Sequence, residues 1–124
     1  GLLLWSDAEI LVRNKHQVLG AERIYGNIGF ELVKLKRYNE AIKAFTQSIE
    51  IFPWFDLSHY SRAEAYYKLK KYPEALVDFN SAIELKPENP RPYYGRALIH
   101  RILGHESLAQ ADFRQGCRLG GVCQ

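Results

Sequence analysis

The sequence has 124 residues, 47% of them hydrophobic and 25% charged, with 17 Lys plus Arg against 14 Asp plus Glu for a net charge of +3. These values exclude an intrinsically disordered chain, and the length suits one domain or about three to four small helical repeats that need no metal to fold. The charge excess is too small to argue for nucleic acid by itself, and two cysteines, Cys117 and Cys123, exclude a disulfide framework.

The N-terminus opens with the apolar run Leu2-Leu3-Leu4-Trp5, far short of the ~20 residues a membrane helix needs. The chain begins Gly1-Leu2 and contains no Met, which reads as a processed or excised piece of something longer. Leu2–Trp5 is then either a stub or the end of a preceding membrane anchor. Residues 6–19 are predicted to form a capping helix, started by the capping box of Ser6 and Glu9 and stopped by Gly20. From residue 22 onward the apolar spacing is helical in six blocks, predicted over 22–35, 39–51, 56–69, 73–85, 91–103 and 106–118. Pro53, Pro87 and Pro90 punctuate the joints, while Pro73 falls in a first helical turn, where proline is tolerated.

The blocks repeat with a step of 34 residues. Ala41 recurs as Ala75 and Ala109, Phe45 as Phe79 and Phe113, and Leu35 as Leu69 and Leu103. Small residues recur as Gly29, Ala63, Ala97 and as Ser48, Ala82, Gly116; Tyr38 pairs with Tyr72 and Pro53 with Pro87. Short side chains let helices approach closely, and the large Phe and Leu columns fill the space beside them. No single helix pair can bury its apolar face alone, so the units must stack.

This pattern resembles the tetratricopeptide repeat family, a 34-residue helix–turn–helix unit. Tyr25, Gly29, Leu32, Ala41, Phe45, Ser48 and Pro53 match its motif in the first copy, and His59, Ala63, Tyr66, Ala75, Phe79, Ala82 and Pro87 in the second. Tyr93, Ala97, His100, Ala109, Phe113 and Gly116 match it in the third, where Gly121 replaces the proline. The resemblance implies an all-α, right-handed α-solenoid with the N-terminal capping helix at one end. The predicted division is an N-terminal stub and cap over 1–21, then repeats over 22–55, 56–89 and 90–124, the last with a short tail.

The resemblance also implies a concave groove lined by the first helix of each pair. Its columns fall on Arg23, Gly26, Phe30, Val33 and Lys34 in the first copy and on Leu57, Tyr60, Glu64, Tyr67 and Lys68 in the second. In the third they fall on Arg91, Tyr94, Leu98, Arg101 and Ile102. Aromatic and cationic side chains dominate, with Glu64 the sole acid, and such surface is the usual material of binding hot spots. The implied function is protein–protein interaction, with a peptide carrying acidic and apolar side chains held in the groove. The competing expectation is that some of these aromatics pack between the first helices of neighbouring pairs. Members of the family that grip the Hsp70 or Hsp90 tail use a two-Asn, three-basic carboxylate clamp. The matching positions here are Gly26, Phe30, Ser61, Arg91 and Gly95, of which only Arg91 suits a carboxylate, and this argues against that ligand.

No Gly-rich phosphate loop, GxGxxG or HExxH occurs, and His100 and His105 stand five apart, a poor ligand spacing. His59 fills the column of Tyr25 and Tyr93 and reads as a packing residue. The expectation is therefore no enzyme, no cofactor and no metal. The basic turns (Lys34, Lys36, Arg37 and Lys68, Lys70, Lys71) read as cations offsetting helix dipoles, against a less favoured reading as a nucleic-acid or lipid ridge. Trp54 and Phe55, at an inter-repeat turn, are expected to contact the N-terminal helix in preference to a partner.

At the C-terminus, Cys117 occupies the column of Ile49 and Ile83, so the preferred reading is a pair of inert thiols. Two intervening glycines would also let Cys123 fold back into a disulfide, which would imply an oxidising compartment. Leu108, Ala111 and Gln115 form a possible self-association face on the last helix. An accessory domain of a larger membrane-anchored or enzymatic protein is the main rival function. The expected location is the cytoplasm, or a membrane tether if an anchor precedes the chain.

Overall fold

A computed structural model describes residues 20–120 and Cys123. The predicted capping helix over 6–19, the Leu2–Trp5 stub and Gly121 lie outside the described residues. Six helices follow in order among these residues: α1 (Ala21–Lys34), α2 (Tyr38–Ile51), α3 (Asp56–Lys68), α4 (Tyr72–Leu85), α5 (Arg91–Ile102) and α6 (Glu106–Arg118). Each lies within one residue of its predicted span. The helices pack pairwise, α1 on α2, α3 on α4 and α5 on α6, and each pair packs on the next through α2–α3 and α4–α5. The chain is an all-α helical-repeat solenoid.

The turn inside each pair has the same geometry. Lys36 and Lys70 take left-handed φ values of 59°, and Gly104 takes 83°. In each turn the following N–H reaches back to end the helix: Arg37 to the Leu32 carbonyl at 2.9 Å, Lys71 to Tyr66 at 2.9 Å and His105 to His100 at 2.8 Å. This double return is the Schellman cap, which satisfies carbonyls the helix end leaves unpaired. Its left-handed residue carries a modest steric cost in lysine and none in glycine.

The core is narrow and repeats with the sequence. Ala41, Ala63, Ala75, Ala97 and Ala109 are fully buried, with Phe45 and Phe79 as the largest wholly enclosed side chains. Gly29 lies against the Phe45 ring and Gly95 against the Phe79 ring, so that a methyl group at either would occupy the ring's own space. Phe79 gathers Ala63, Ala75 and Ile99 around it, with Tyr60 and Leu76 packed outside.

A polar ladder runs through the same stack. Arg62 of α3 donates from Nε and Nη2 to both oxygens of the buried Asp78 in α4, at 2.7 and 2.8 Å, and from Nη1 to Thr46 of α2 at 3.0 Å. One unit later Arg96 of α5 binds Asp112 of α6 at 2.8 and 2.7 Å, and Asn80 of α4 at 2.9 Å. Each arginine therefore ties its own pair together and fastens it to the pair before. The first unit has the exposed Ile28 and the buried Ala44 at the equivalent positions and so lacks the ion pair. His59 and Tyr93 are also equivalent. Tyr93 donates to the Pro87 carbonyl at 3.0 Å, and His59 Nε2 lies 2.8 Å from the Pro53 carbonyl, which can only accept, so this nitrogen carries the proton. The expectation that His59 is a packing residue is met with an added hydrogen bond.

His100 and Asp78, which face the arginines of this ladder, make stability pH-dependent. Burial holds the His100 imidazole below the ordinary histidine range; Asp112 opposes this, and Arg96 and His105 reinforce it. Burial alone would raise the Asp78 carboxyl, but the two hydrogen bonds from the Arg62 guanidinium outweigh it and hold the group low. Both folded pKa values are depressed, so the unfolded chain takes up protons first as pH falls. The His100 contribution is complete above about pH 6.5 and is lost below it, and the Asp78 contribution is lost below about pH 4. The urea midpoint is expected to decline in these two stages, and His100→Gln is expected to remove much of the first. A midpoint flat between about pH 7.5 and 5.5 would refute this.

Candidate functional site

The 34-residue step places three columns on one face of the solenoid: Gly26, Tyr60, Tyr94; Phe30, Glu64, Leu98; and Val33, Tyr67, Arg101. The aromatics among them are half-buried. The Phe30 ring meets Phe45 edge-on at 5.6 Å, Tyr60 tilts onto Phe79 at 5.8 Å, Tyr67 meets Tyr72 at 5.9 Å and Tyr94 meets Phe113 at 6.2 Å. These ring contacts lie within each pair, not between the first helices of successive pairs as the competing expectation had it. One side of each ring packs on the second helix of its pair, and the remainder stays accessible on the face.

Arg23, Lys34, Glu64, Lys68, Arg91, Leu98 and Arg101 are exposed. Lys34 is engaged by Glu31 at 3.1 Å, and the Arg101 guanidinium lies 4.7 Å above the Phe113 ring. The Tyr60 hydroxyl donates to Glu64 Oε2 at 3.0 Å. Burial first, then the adjoining Glu64 carboxylate, drives the Tyr60 hydroxyl well above the ordinary tyrosine range. Burial raises the Glu64 carboxyl as well, with the Tyr60 hydroxyl, Arg91 and Lys68 working against it. The one acid of the predicted site is thus already hydrogen-bonded and flanked by two cations, which leaves the face net positive.

Three cavities open along this face. One of about 180 Å³ lies between α1 and α3, lined by Arg23, Asn27, Phe30, Phe55, Leu57 and their neighbours. A second of about 170 Å³ shares Phe30 and Phe45 with it and adds Val33, Ser61, Glu64 and Lys68. The third, about 720 Å³, lies at the C-terminal end between α5 and α6. Ser61 is 4% exposed, and its hydroxyl has no hydrogen-bond partner. At the positions matching the carboxylate clamp, Gly26 and Ser61 are buried and Gly95 is filled by Phe79, so Arg91 alone offers a cation.

One expectation is corrected. Cys117 and Cys123 are not free thiols: they form a disulfide with Cα atoms 5.2 Å apart. Between them Gly120 takes a left-handed φ of +93°. Trp54 is 69% exposed, its ring touching only the neighbouring Phe52 edge-on at 5.7 Å among the described ring pairs, and the N-terminal helix expected to meet it lies outside the described residues. Phe55 does turn inward, because it directly precedes α3 and there faces α1. Leu108 and Ala111 on α6 are exposed and Gln115 is half-buried.

Asn27, Phe55, Arg114 and the two cysteines line these cavities without having been expected there. The arginine ladder was likewise unassigned, although its signal was present: Arg62 and Arg96, like Asp78 and Asp112, are 34 apart. Among the described residues no three His, Cys, Asp or Glu side chains are grouped to hold a metal ion, and no helix is long and apolar enough to cross a membrane.

Stacked helix pairs with an aromatic and basic face define a helical-repeat protein-interaction module. The tetratricopeptide repeat model matches residues 22–55 and a second model of the same repeat matches residues 63–104, and the chain belongs to the tetratricopeptide repeat family. Solved structures agree. The first tetratricopeptide domain of Spaghetti (RPAP3), bound to the HSP90 peptide SRMEEVD, is 26% identical with a TM-score of 0.78, covering 80% of this chain and 79% of that one. The second domain of Spaghetti, bound to the same peptide, is 27% identical with a TM-score of 0.78, covering 87% and 97%. The first such domain of human RPAP3 is 26% identical with a TM-score of 0.77, covering 80% and 78%. No curated protein matches the chain.

Proposed function

We propose that this face binds a peptide that carries acidic and apolar side chains. The observation that carries the reading is the row of half-buried rings, Phe30, Tyr60, Tyr67 and Tyr94, each braced on the neighbouring helix and edged by Arg23, Lys68, Arg91 and Arg101. Rings held from behind lose little freedom on binding, and guanidinium groups receive carboxylates in two-point hydrogen bonds. Arg91 and Lys68 offset the charge of Glu64, the one acid among the predicted site residues.

The Spaghetti domains with their bound acidic peptide support this class of ligand. They do not extend the HSP90 tail itself to this chain, because four of its five clamp positions lack a matching donor. The Cys117–Cys123 bond supports an oxidising compartment over the cytoplasm.

A peptide array at two salt concentrations tests the reading, with SRMEEVD included and the Tyr60→Ala/Tyr94→Ala double variant alongside. Hits rich in Asp or Glu around an apolar residue are expected, weakened by salt and by about thirtyfold or more in the variant. SRMEEVD is expected to rank below the best hits. Hits indifferent to the variant would overturn the groove as the site, and SRMEEVD at the top of the ranking would restore the carboxylate-tail ligand.

A further inference from the structure

The large cavity at the C-terminal end has a wall that the repeat does not supply. Tyr94, Leu98 and Arg101 of α5 form one side, and Phe113, Arg114 and Cys117 of α6 the other. Cys123 of the returning tail closes the end. In the inner units the next helix covers this end of the pair, as α3 does for α2 and α5 for α4. No described helix follows α6. Its last turn instead passes through Leu119 to Gly120, whose N–H bonds the Cys117 carbonyl at 3.1 Å, and the disulfide fastens Cys123 against the helix.

The lining is apolar below and cationic above. Leu98, Phe113 and the disulfide make the floor and end wall, and among the described residues no Asp or Glu lines the space. The Arg101 guanidinium rests on Phe113 at 4.7 Å, with only an exposed 3.4 Å contact to Glu106 among its described charge partners. Arg114 has a long 3.4 Å hydrogen bond from Nε to the Gln110 carbonyl. Both guanidinium groups therefore keep N–H donors for an incoming anion.

We propose that this cavity takes an apolar side chain and an adjacent carboxylate of a bound peptide, and that the Cys117–Cys123 disulfide is the wall that makes it competent. This rests on the peptide-binding reading above and assigns the anchor point within it. The apolar side chain fills the space over Leu98 and Phe113, and the carboxylate accepts from Arg101 and Arg114. Reduction adds two electrons and two protons and yields two thiols. A dithiol reductant supplies both and is itself oxidised to its cyclic disulfide. The freed tail then no longer closes the cavity, while α1–α6 keep their packing because the bond lies beyond the core.

The test is a titration of the oxidised ¹⁵N-labelled protein with the peptide acetyl-Glu-Glu-Leu-Phe-Asp-Glu amide, followed by amide shifts. Shifts at Leu98, Arg101 and Phe113 are expected. Dithiothreitol, Cys123→Ser and the exposed Arg114→Glu are each expected to weaken the peptide by about tenfold, with the helical circular dichroism unchanged. Affinity that survives reduction and Cys123→Ser would overturn the proposal. Shifts confined to Tyr60, Glu64 and Arg91 would overturn it too, while leaving the groove reading standing. A peptide that shifts neither set would overturn both.

Discussion

Arg62→Leu is expected to destabilise the domain by roughly 3 kcal/mol, among the largest effects of any single polar substitution in it. The cause is the partner left behind. Asp78 is 2% exposed and receives two hydrogen bonds from Arg62; without them a buried carboxylate faces only His59 Nδ1 at 3.9 Å. Thr46 loses its donor in the same step, so the tie between α2 and α3 goes as well. Asp78→Ala is expected to cost less, about 1–2 kcal/mol, because Arg62 is partly exposed and can turn its charge to water.

The first repeat supplies the decisive comparison. Ile28 and Ala44 stand where Arg62 and Asp78 stand, so the same backbone accepts an apolar pair. Arg62→Ile/Asp78→Ala is therefore expected to recover most of the loss, giving a strongly non-additive cycle in urea denaturation. The penalty of Arg62→Leu is also expected to shrink as the pH falls toward 4, when protonation neutralises Asp78. Additive single and double losses would show that the pair is not the unit of stability in this interface.

Phe79→Ala is expected to cost about 3–5 kcal/mol. The ring is 2% exposed and fills the space between Ala63, Ala75 and Ile99, with Gly95 directly against it. All of these neighbours are small or held by helix backbone, so the site cannot collapse around the cavity. The substitution reaches the binding face too, since Tyr60 rests on this ring at 5.8 Å. Peptide affinity is expected to fall even under conditions where the variant remains folded, and Phe79→Leu is expected to restore part of both losses. A cost below about 1.5 kcal/mol in urea denaturation would mean that the helices close over the gap.

These predictions separate what was legible along the chain from what was not. Helix number, helix limits and the stacking order follow from the step that links Ala41, Ala75 and Ala109 and Phe45, Phe79 and Phe113, because a repeated apolar pattern has only one way to bury itself. The columns of the face, from Tyr60 and Tyr94 to Arg91 and Arg101, were legible for the same reason. Equal spacing guarantees a common side once the repeat is recognised.

Side-chain partnership was not legible to the same degree. Arg62 and Arg96 carry no assignment along the chain until the turn brings Asp78 and Asp112, sixteen residues away, within hydrogen-bonding distance. The spacing of Trp54 and Phe55 could not say which ring turns inward, since that depends on where α1 stands relative to the start of α3. Cys117 read as an inert thiol from its place in the column of Ile49 and Ile83, and only the tertiary structure pairs it with Cys123.

By itself the sequence determined the family, the six helices and which residues share a face, because those properties depend on periodicity, and periodicity is a property of the chain. Only the tertiary structure decided which charges are spent inside the stack and which remain on the face. It also decided that a disulfide-fastened tail walls the last cavity. Both are contacts between residues whose separation in space no spacing along the chain encodes.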